Sequence, residues 1–208
     1  MTAQPTARRR NRIQSDDVRA HIQQVALDLF IEEGYEKTSL REIASRLGVT
    51  KAALYYYFPT KDDIIGSLIA ERVAVVEELL EWAQTQPDRA AMRIELISRY
   101  AESLRDDPRL AGILRFLKRN QTLVDTLDAG RQLGEQLRRL LVLLVDPAEP
   151  LPRQLRRAMA LYCLHADMFP LAGTATERHE AMLEVALELM ASADAGDLPG
   201  TSTHRQPR

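Results

Sequence analysis

One cysteine, Cys163, stands among 208 residues, so neither an intramolecular disulfide nor a CxxC metal cluster is available, which fits a reducing compartment. The four histidines, at 21, 165, 179 and 204, lack the HExxH spacing of a zinc site, and no glycine-rich phosphate loop occurs. Cys163, His165 and Asp167 lie close in sequence, but helical neighbours two apart point about 200° away from each other and cannot form a nucleophile–base pair. These absences argue against an enzyme, a metal site or a bound cofactor. The densest apolar run, Leu140 to Val145, is far shorter than the roughly 20 residues a bilayer span needs. No apolar stretch follows the basic N-terminus, so no secretory signal is predicted and the chain is expected to be soluble and cytoplasmic. Strand-type alternation is missing throughout.

What remains is helical. Residues 1–13 are polar, basic and aperiodic and read as a flexible arm. From Asp16, Val18, Ile22, Val25, Leu29 and Phe30 line one face until Gly34 ends the helix. Ser39-Leu-Arg-Glu42 is a capping-box pattern opening a short helix with Leu40, Ile43, Ala44 and Leu47 inward. Gly48 breaks that helix, and Val49 is expected to plug the corner. Thr50 caps a third helix that Pro59 stops after Tyr57, and Thr60 with Asp63 caps a long fourth one reaching about Trp82. Further helical periods cover about 88–105, 108–119, 122–145, 151–168 and 176–192, separated by Pro and Gly breakers. From Ala193 onward apolar residues nearly vanish, and the tail 193–208 is expected to be disordered.

Charge is divided unequally. Residues 1–61 carry ten Lys/Arg against seven Asp/Glu, a balance of +3, whereas the rest of the chain balances at −5. A basic head on an acidic body suits contact of the head alone with a polyanion. For the cluster Arg8, Arg9, Arg10 and Arg12, an arm entering a minor groove and a solvated tail are both open readings.

The two short helices around Gly48 form a helix-turn-helix, in which Leu54 and Phe58 pin the second helix and leave Lys51, Ala52, Tyr55 and Tyr56 on or near the outward arc. The stretch Ile22–Ile65, with Phe30, Gly34, Thr38, Ile43, Ala44, Leu47-Gly48-Val49, Leu54-Tyr55, Tyr57-Phe58-Pro59 and Lys61, resembles the DNA-binding domain of the TetR family of bacterial transcriptional regulators.

That resemblance implies a three-helix DNA-binding domain at 14–60 and an all-α effector-binding and dimerisation domain at 61–192, about nine helices in total. By position, Arg41, Lys51, Ala52, Ala53 and Tyr55 resemble the base-facing set. Thr38, Ser39, Thr50, Tyr56, Tyr57 and Lys61 resemble the phosphate-contacting set, with Lys61 and the N–H groups of its helix sharing one phosphate. Ala52 and Ala53 depart from the usual small residue followed by threonine or serine; their methyls suit a thymine methyl group.

The resemblance further implies a homodimer formed by the last two helices, with stripes at Leu155, Met159 and Tyr162 and at Met182, Val185 and Leu189. A small, apolar effector would sit among Trp82, Tyr100, Phe116, His165, Met168 and Phe169. The expected function is a ligand-responsive repressor that binds pseudo-palindromic operator DNA and leaves it when the effector binds. The alternative is a helical adaptor for a protein partner, without sequence-selective DNA binding.

Overall fold

The structure, a computed structural model, describes residues 5–105, 107, 109–166 and 171–195. These residues form ten helices and no strand: α1 (Pro5–Glu32), α2 (Leu40–Leu47), α3 (Lys51–Tyr57), α4 (Lys61–Gln84), α5 (Arg89–Arg105), α6 (Leu110–Arg119), α7 (Gln121–Thr126), α8 (Asp128–Leu144), α9 (Leu151–Cys163) and α10 (Ala175–Asp194). None of the described helices is long and apolar enough to cross a membrane.

The helix ends follow the sequence chemistry. Ser39 accepts the Glu42 N–H at 3.2 Å while the Glu42 carboxylate accepts the Ser39 N–H at 2.6 Å, closing the expected capping box. Thr60 and Asp63 make the same exchange at 2.9 and 3.1 Å. Thr174 and Glu177 repeat it before α10. At the C-terminus of α2, Gly48 sits at φ 69°, a left-handed conformation in which its N–H and that of Val49 reach the carbonyls of Ser45 and Ala44.

Three expectations are revised. Residues 5–13, read as part of a flexible arm, have helical backbone continuous with α1. Pro5 stands at the first helical position, where its fixed φ and missing N–H carry no penalty. Of the tail expected to be disordered from 193, Ala193 and Asp194 instead close α10, Ala193 being buried and Asp194 bound by Arg157. The residues from 196 lie outside the described residues. The period that runs through 122–145 is divided into α7 and α8 by Leu127, which is extended at φ −80°, ψ 136°. The Arg131 guanidinium donates to the carbonyls of Thr126 and Asp125 at 2.9 and 3.2 Å, satisfying groups that a continuous helix would have bonded internally. Gly130 permits the fold-back, because a Cβ there would overlap the Val124 carbonyl. Gly130→Ala is therefore expected to destabilise the protein by about 1–3 kcal/mol in chemical denaturation. An unchanged midpoint would mean that α7 moves aside without cost.

The chain divides into two compact units, one of residues up to Leu80 with Ser103–Arg138, the other of Glu81–Glu102 with residues from Arg139. The first unit does not stop at the expected boundary of residue 60. Ile64, Ile65, Leu68, Ile69 and Val73 of α4 and Ile113 and Phe116 of α6 share one core with Ile22, Leu27, Phe30, Ile43, Leu54 and Phe58. Three helices of this size bury only a small core alone, and α4 and α6 enlarge it. In the second unit α9 and α10 pack along each other.

Candidate nucleic-acid interface

Helix α3 is only seven residues long, and its core-facing positions decide where every other side chain goes. Leu54 and Phe58 are 0% and 1% exposed. At 100° per residue, Tyr56 then falls almost opposite Leu54, and it is 82% exposed. Lys51 and Tyr55 share one flank, with the Lys51 ammonium 5.1 Å from the centre of the Tyr55 ring. Ala53 and Tyr57 share the other flank, facing α1 across a groove that also takes in Asp17, Val18 and His21. The three consecutive tyrosines thus point in three directions.

Arg41 on α2 and Lys51, Ala52, Tyr55 and Tyr56 on α3 are all exposed, so donors and apolar tips stand on one pair of helices. Thr50 accepts the Ala53 N–H at 3.2 Å, which leaves its own hydroxyl hydrogen for an outside acceptor. Ser39 is exposed, but its hydroxyl donates to Glu42 at 2.8 Å. The Ser39 N–H and hydroxyl hold the Glu42 carboxyl below its ordinary range.

Other positions differ from expectation. Thr38 is 1% exposed and its hydroxyl donates to the Gly34 carbonyl at 2.9 Å, so it fastens the α1–α2 turn and has nothing to offer a phosphate. Ala53 is exposed but belongs to the groove flank with Tyr57, not to the arc of Tyr55 and Tyr56. Tyr57 is half-buried, and its carbonyl accepts from Arg19 at 3.1 Å. Val49 does not plug the corner; it is 44% exposed on the groove wall. At the N-terminus of α4 the Asp63 carboxylate accepts the Thr60 N–H, and the Asp62 carboxylate accepts from the Tyr35 hydroxyl. Lys61 donates to the Tyr35 carbonyl at 2.6 Å and lies 4.3 Å from the centre of that ring, which leaves two of its three N–H donors. The side chains of Arg8, Arg9, Arg10 and Arg12 lie outside the described residues.

Sequence reasoning does not single out Tyr35, yet this residue organises the corner. Its ring packs against Phe30 and Phe116 with centroids 5.0 and 5.7 Å away, while its hydroxyl and carbonyl hold Asp62 and Lys61. Burial first, and the Asp62 carboxylate second, push its hydroxyl pKa well up. The available signal is an aromatic directly after the helix-ending Gly34. Arg19, one of the basic residues concentrated in the head, has a structural role that its charge alone does not reveal: its guanidinium lies 4.4 Å from the centre of the Phe58 ring and ties α1 to the end of α3.

The proposed effector residues are not brought together as one set. Phe116 is 1% exposed in the core of the first unit. In the second unit the Tyr100 hydroxyl is 3.1 Å from His165 Nε2, and Arg99 covers the Trp82 ring at 4.3 Å. Met168 and Phe169 lie outside the described residues. A cavity of about 520 Å³ in the second unit is lined by other residues, including Cys163, Leu171, Ala181 and Met182. The Cys163 thiol donates to the Met182 carbonyl at 3.1 Å, and burial raises its pKa. Of the expected dimer stripe, Leu155, Met159, Tyr162 and Val185 are exposed at 57, 42, 60 and 45%. Leu189 is half-buried. Met182 is only 6% exposed and belongs to the chain's own core.

Residues 22–68 match the family of Bacterial regulatory proteins, tetR family. The chain is 40% identical over 60 residues to the HTH-type transcriptional regulator AcrR of Shigella flexneri, covering 29% of this chain and 28% of that one. It is also 40% identical over 70 residues to the HTH-type transcriptional repressor Rv3405c of Mycobacterium tuberculosis, covering 33% and 37%. The chain thus spans about a third of the length of these curated relatives. A TetR-family transcriptional regulator from Bordetella parapertussis 12822 shares the fold over 88% of this chain and 98% of its own, at 17% identity and a TM-score of 0.62.

Proposed function

We infer, from an N-terminal domain that belongs to the TetR family, that this chain is a DNA-binding transcriptional regulator, most simply a repressor. The observation that carries the reading is the outward arc of α3. With Leu54 and Phe58 buried, Lys51, Tyr55 and Tyr56 are left exposed beside Arg41 and Thr50 on a head of positive balance. Here α3 enters the major groove, Arg41 and Lys51 donate to guanine edges, Ala52 meets a thymine methyl, and Tyr55 reads from the same side. Tyr56, Thr50 and the two remaining donors of Lys61 take phosphates. The chain acts in the cytoplasm as a homodimer through α9 and α10, presenting two heads to a pseudo-palindromic operator. A small apolar molecule bound in the second unit favours a state that holds DNA less tightly, by its differential affinity for the two states.

Fluorescence anisotropy on DNA from upstream of the chain's own gene tests this. Lys51→Ala and Arg41→Ala are each expected to lose about 1–3 kcal/mol of affinity and to relax preference at one base position. Tyr56→Ala is expected to weaken binding evenly across sequences. Wild-type affinity should fall steeply with salt. A saturable, sequence-selective complex discards the adaptor reading. Affinity unchanged in all three variants overturns the placement of the site.

A further inference from the structure

We propose that the groove between α1 and α3 is a second ligand site, which takes a small organic cation with an apolar body and a protonated amine. The groove encloses about 360 Å³, within the range of small-molecule pockets. Its floor is apolar, formed by Ile22 and Leu54, exposed by 3% and 0%. Two branched side chains on its walls, Val18 and Val49, stay 38% and 44% exposed where a filled groove would bury them. The one carboxylate on its lining is Asp17, which is exposed and makes no hydrogen bond or ion pair with any described residue. The nearby Arg19 is already committed to the Tyr57 carbonyl and the Phe58 ring. An unpaired carboxylate beside an apolar cleft favours a cation at the rim and repels an anion there. His21, one turn further along α1, adds a ring nitrogen to the same rim.

Leu54, Ala53 and Tyr57 of α3 form one side of this site, so its occupant bears directly on the helix assigned to DNA. Occupancy and DNA binding then weaken each other by the same factor. That consequence rests on the function proposed above; binding in the groove does not.

The test uses the full chain with isotope-labelled valine methyls and a matched probe pair, 4-phenylbutylammonium and 4-phenylbutyrate. The amine is expected to shift the Val18 and Val49 methyl resonances saturably, with the carboxylate binding at least about tenfold more weakly. Asp17→Asn should weaken the amine about threefold to fivefold, the worth of an exposed ion pair, and Val18→Trp, which fills the groove from an exposed position, should abolish its binding. The site is overturned by equal affinity for the two probes, by unchanged affinity in Asp17→Asn, or by no saturable shift below about 10 mM. In a second arm, the amine is expected to raise the apparent Kd for DNA in the wild type and not in Asp17→Asn. Unchanged DNA affinity with a loaded groove overturns the competition. Absence of any DNA complex overturns the regulator reading, while the methyl titration still decides the groove.

Discussion

A chain carrying Leu155→Glu and Tyr162→Glu is expected to be a monomer and to bind operator DNA at least about a hundredfold more weakly than wild type. Leu155, Met159 and Tyr162 recur along one side of α9 and are exposed at 57, 42 and 60%, while Val185 on α10 is exposed at 45%. Such a stripe on a helix pair is unusual for a surface that meets only water. In a dimer these side chains are desolvated, and a carboxylate placed among them would be buried without a partner. The affinity loss follows from valence. Two linked heads make the second contact intramolecular, worth about 10²–10⁴ over either head alone. Both positions are exposed, so the monomer should melt within about 0.5 kcal/mol of the wild-type protomer. Sedimentation velocity reads the mass and anisotropy reads the affinity. A variant that remains dimeric would remove α9 from the interface.

Glu149→Ala should cost about 3–5 kcal/mol in chemical denaturation, the loss typical of breaking a buried ion pair from one side. Glu149 takes two hydrogen bonds from Arg157, at 2.9 and 3.0 Å, and a longer ion pair from Arg93 at 3.6 Å. Arg157 is 2% exposed, and its Nη2 also donates to Asp194 at 2.6 Å. Its Nη1 is buried and has no partner among the described residues. The variant would remove the carboxylate that both guanidinium groups share, leaving Arg157 with Asp194 alone. Burial first, and repulsion from Arg157 second, already hold the Arg93 pKa below its ordinary value. The double variant Glu149→Leu with Arg157→Met should recover part of the loss, since it removes that pair of charges together but leaves Arg93 without Glu149 and Asp194 without Arg157. If Glu149→Ala costs less than about 1 kcal/mol, water reaches Arg157 and the network is only a surface pair.

Local rules carried most of the fold. The boxes Ser39–Glu42 and Thr60–Asp63 were legible because each uses side chains three residues apart. The break at Leu127 was not. The glycine that permits it, Gly130, lies inside α8 and not at the break, and the carbonyls freed there are satisfied by Arg131, a partner that periodicity does not reveal. The same limit separates the outcomes at the interface. Tyr56 could be placed outward because Leu54 and Phe58 had to point inward. Thr38 could not be placed, because nothing in its type reveals that its hydroxyl is taken by the carbonyl of Gly34. Phe116 shows how a stripe misleads. Periodicity says that it is buried, not which of two cores buries it, and it packs with Phe30 and Tyr35.

The fan of side chains around α3 also bears on descent with change. The residues that hold this helix in place, Leu54 and Phe58, share no position with the outward set at 51, 52, 55 and 56. Substitution at exposed positions commonly alters stability by no more than about 0.5 kcal/mol. A lineage can therefore exchange those four residues without passing through unfolded intermediates, and on the function proposed above the exchanges at 51, 52 and 55 change its preferred DNA sequence. On that proposal stability and target choice drift as separate traits, and a duplicated copy would acquire a new operator through a few surface replacements.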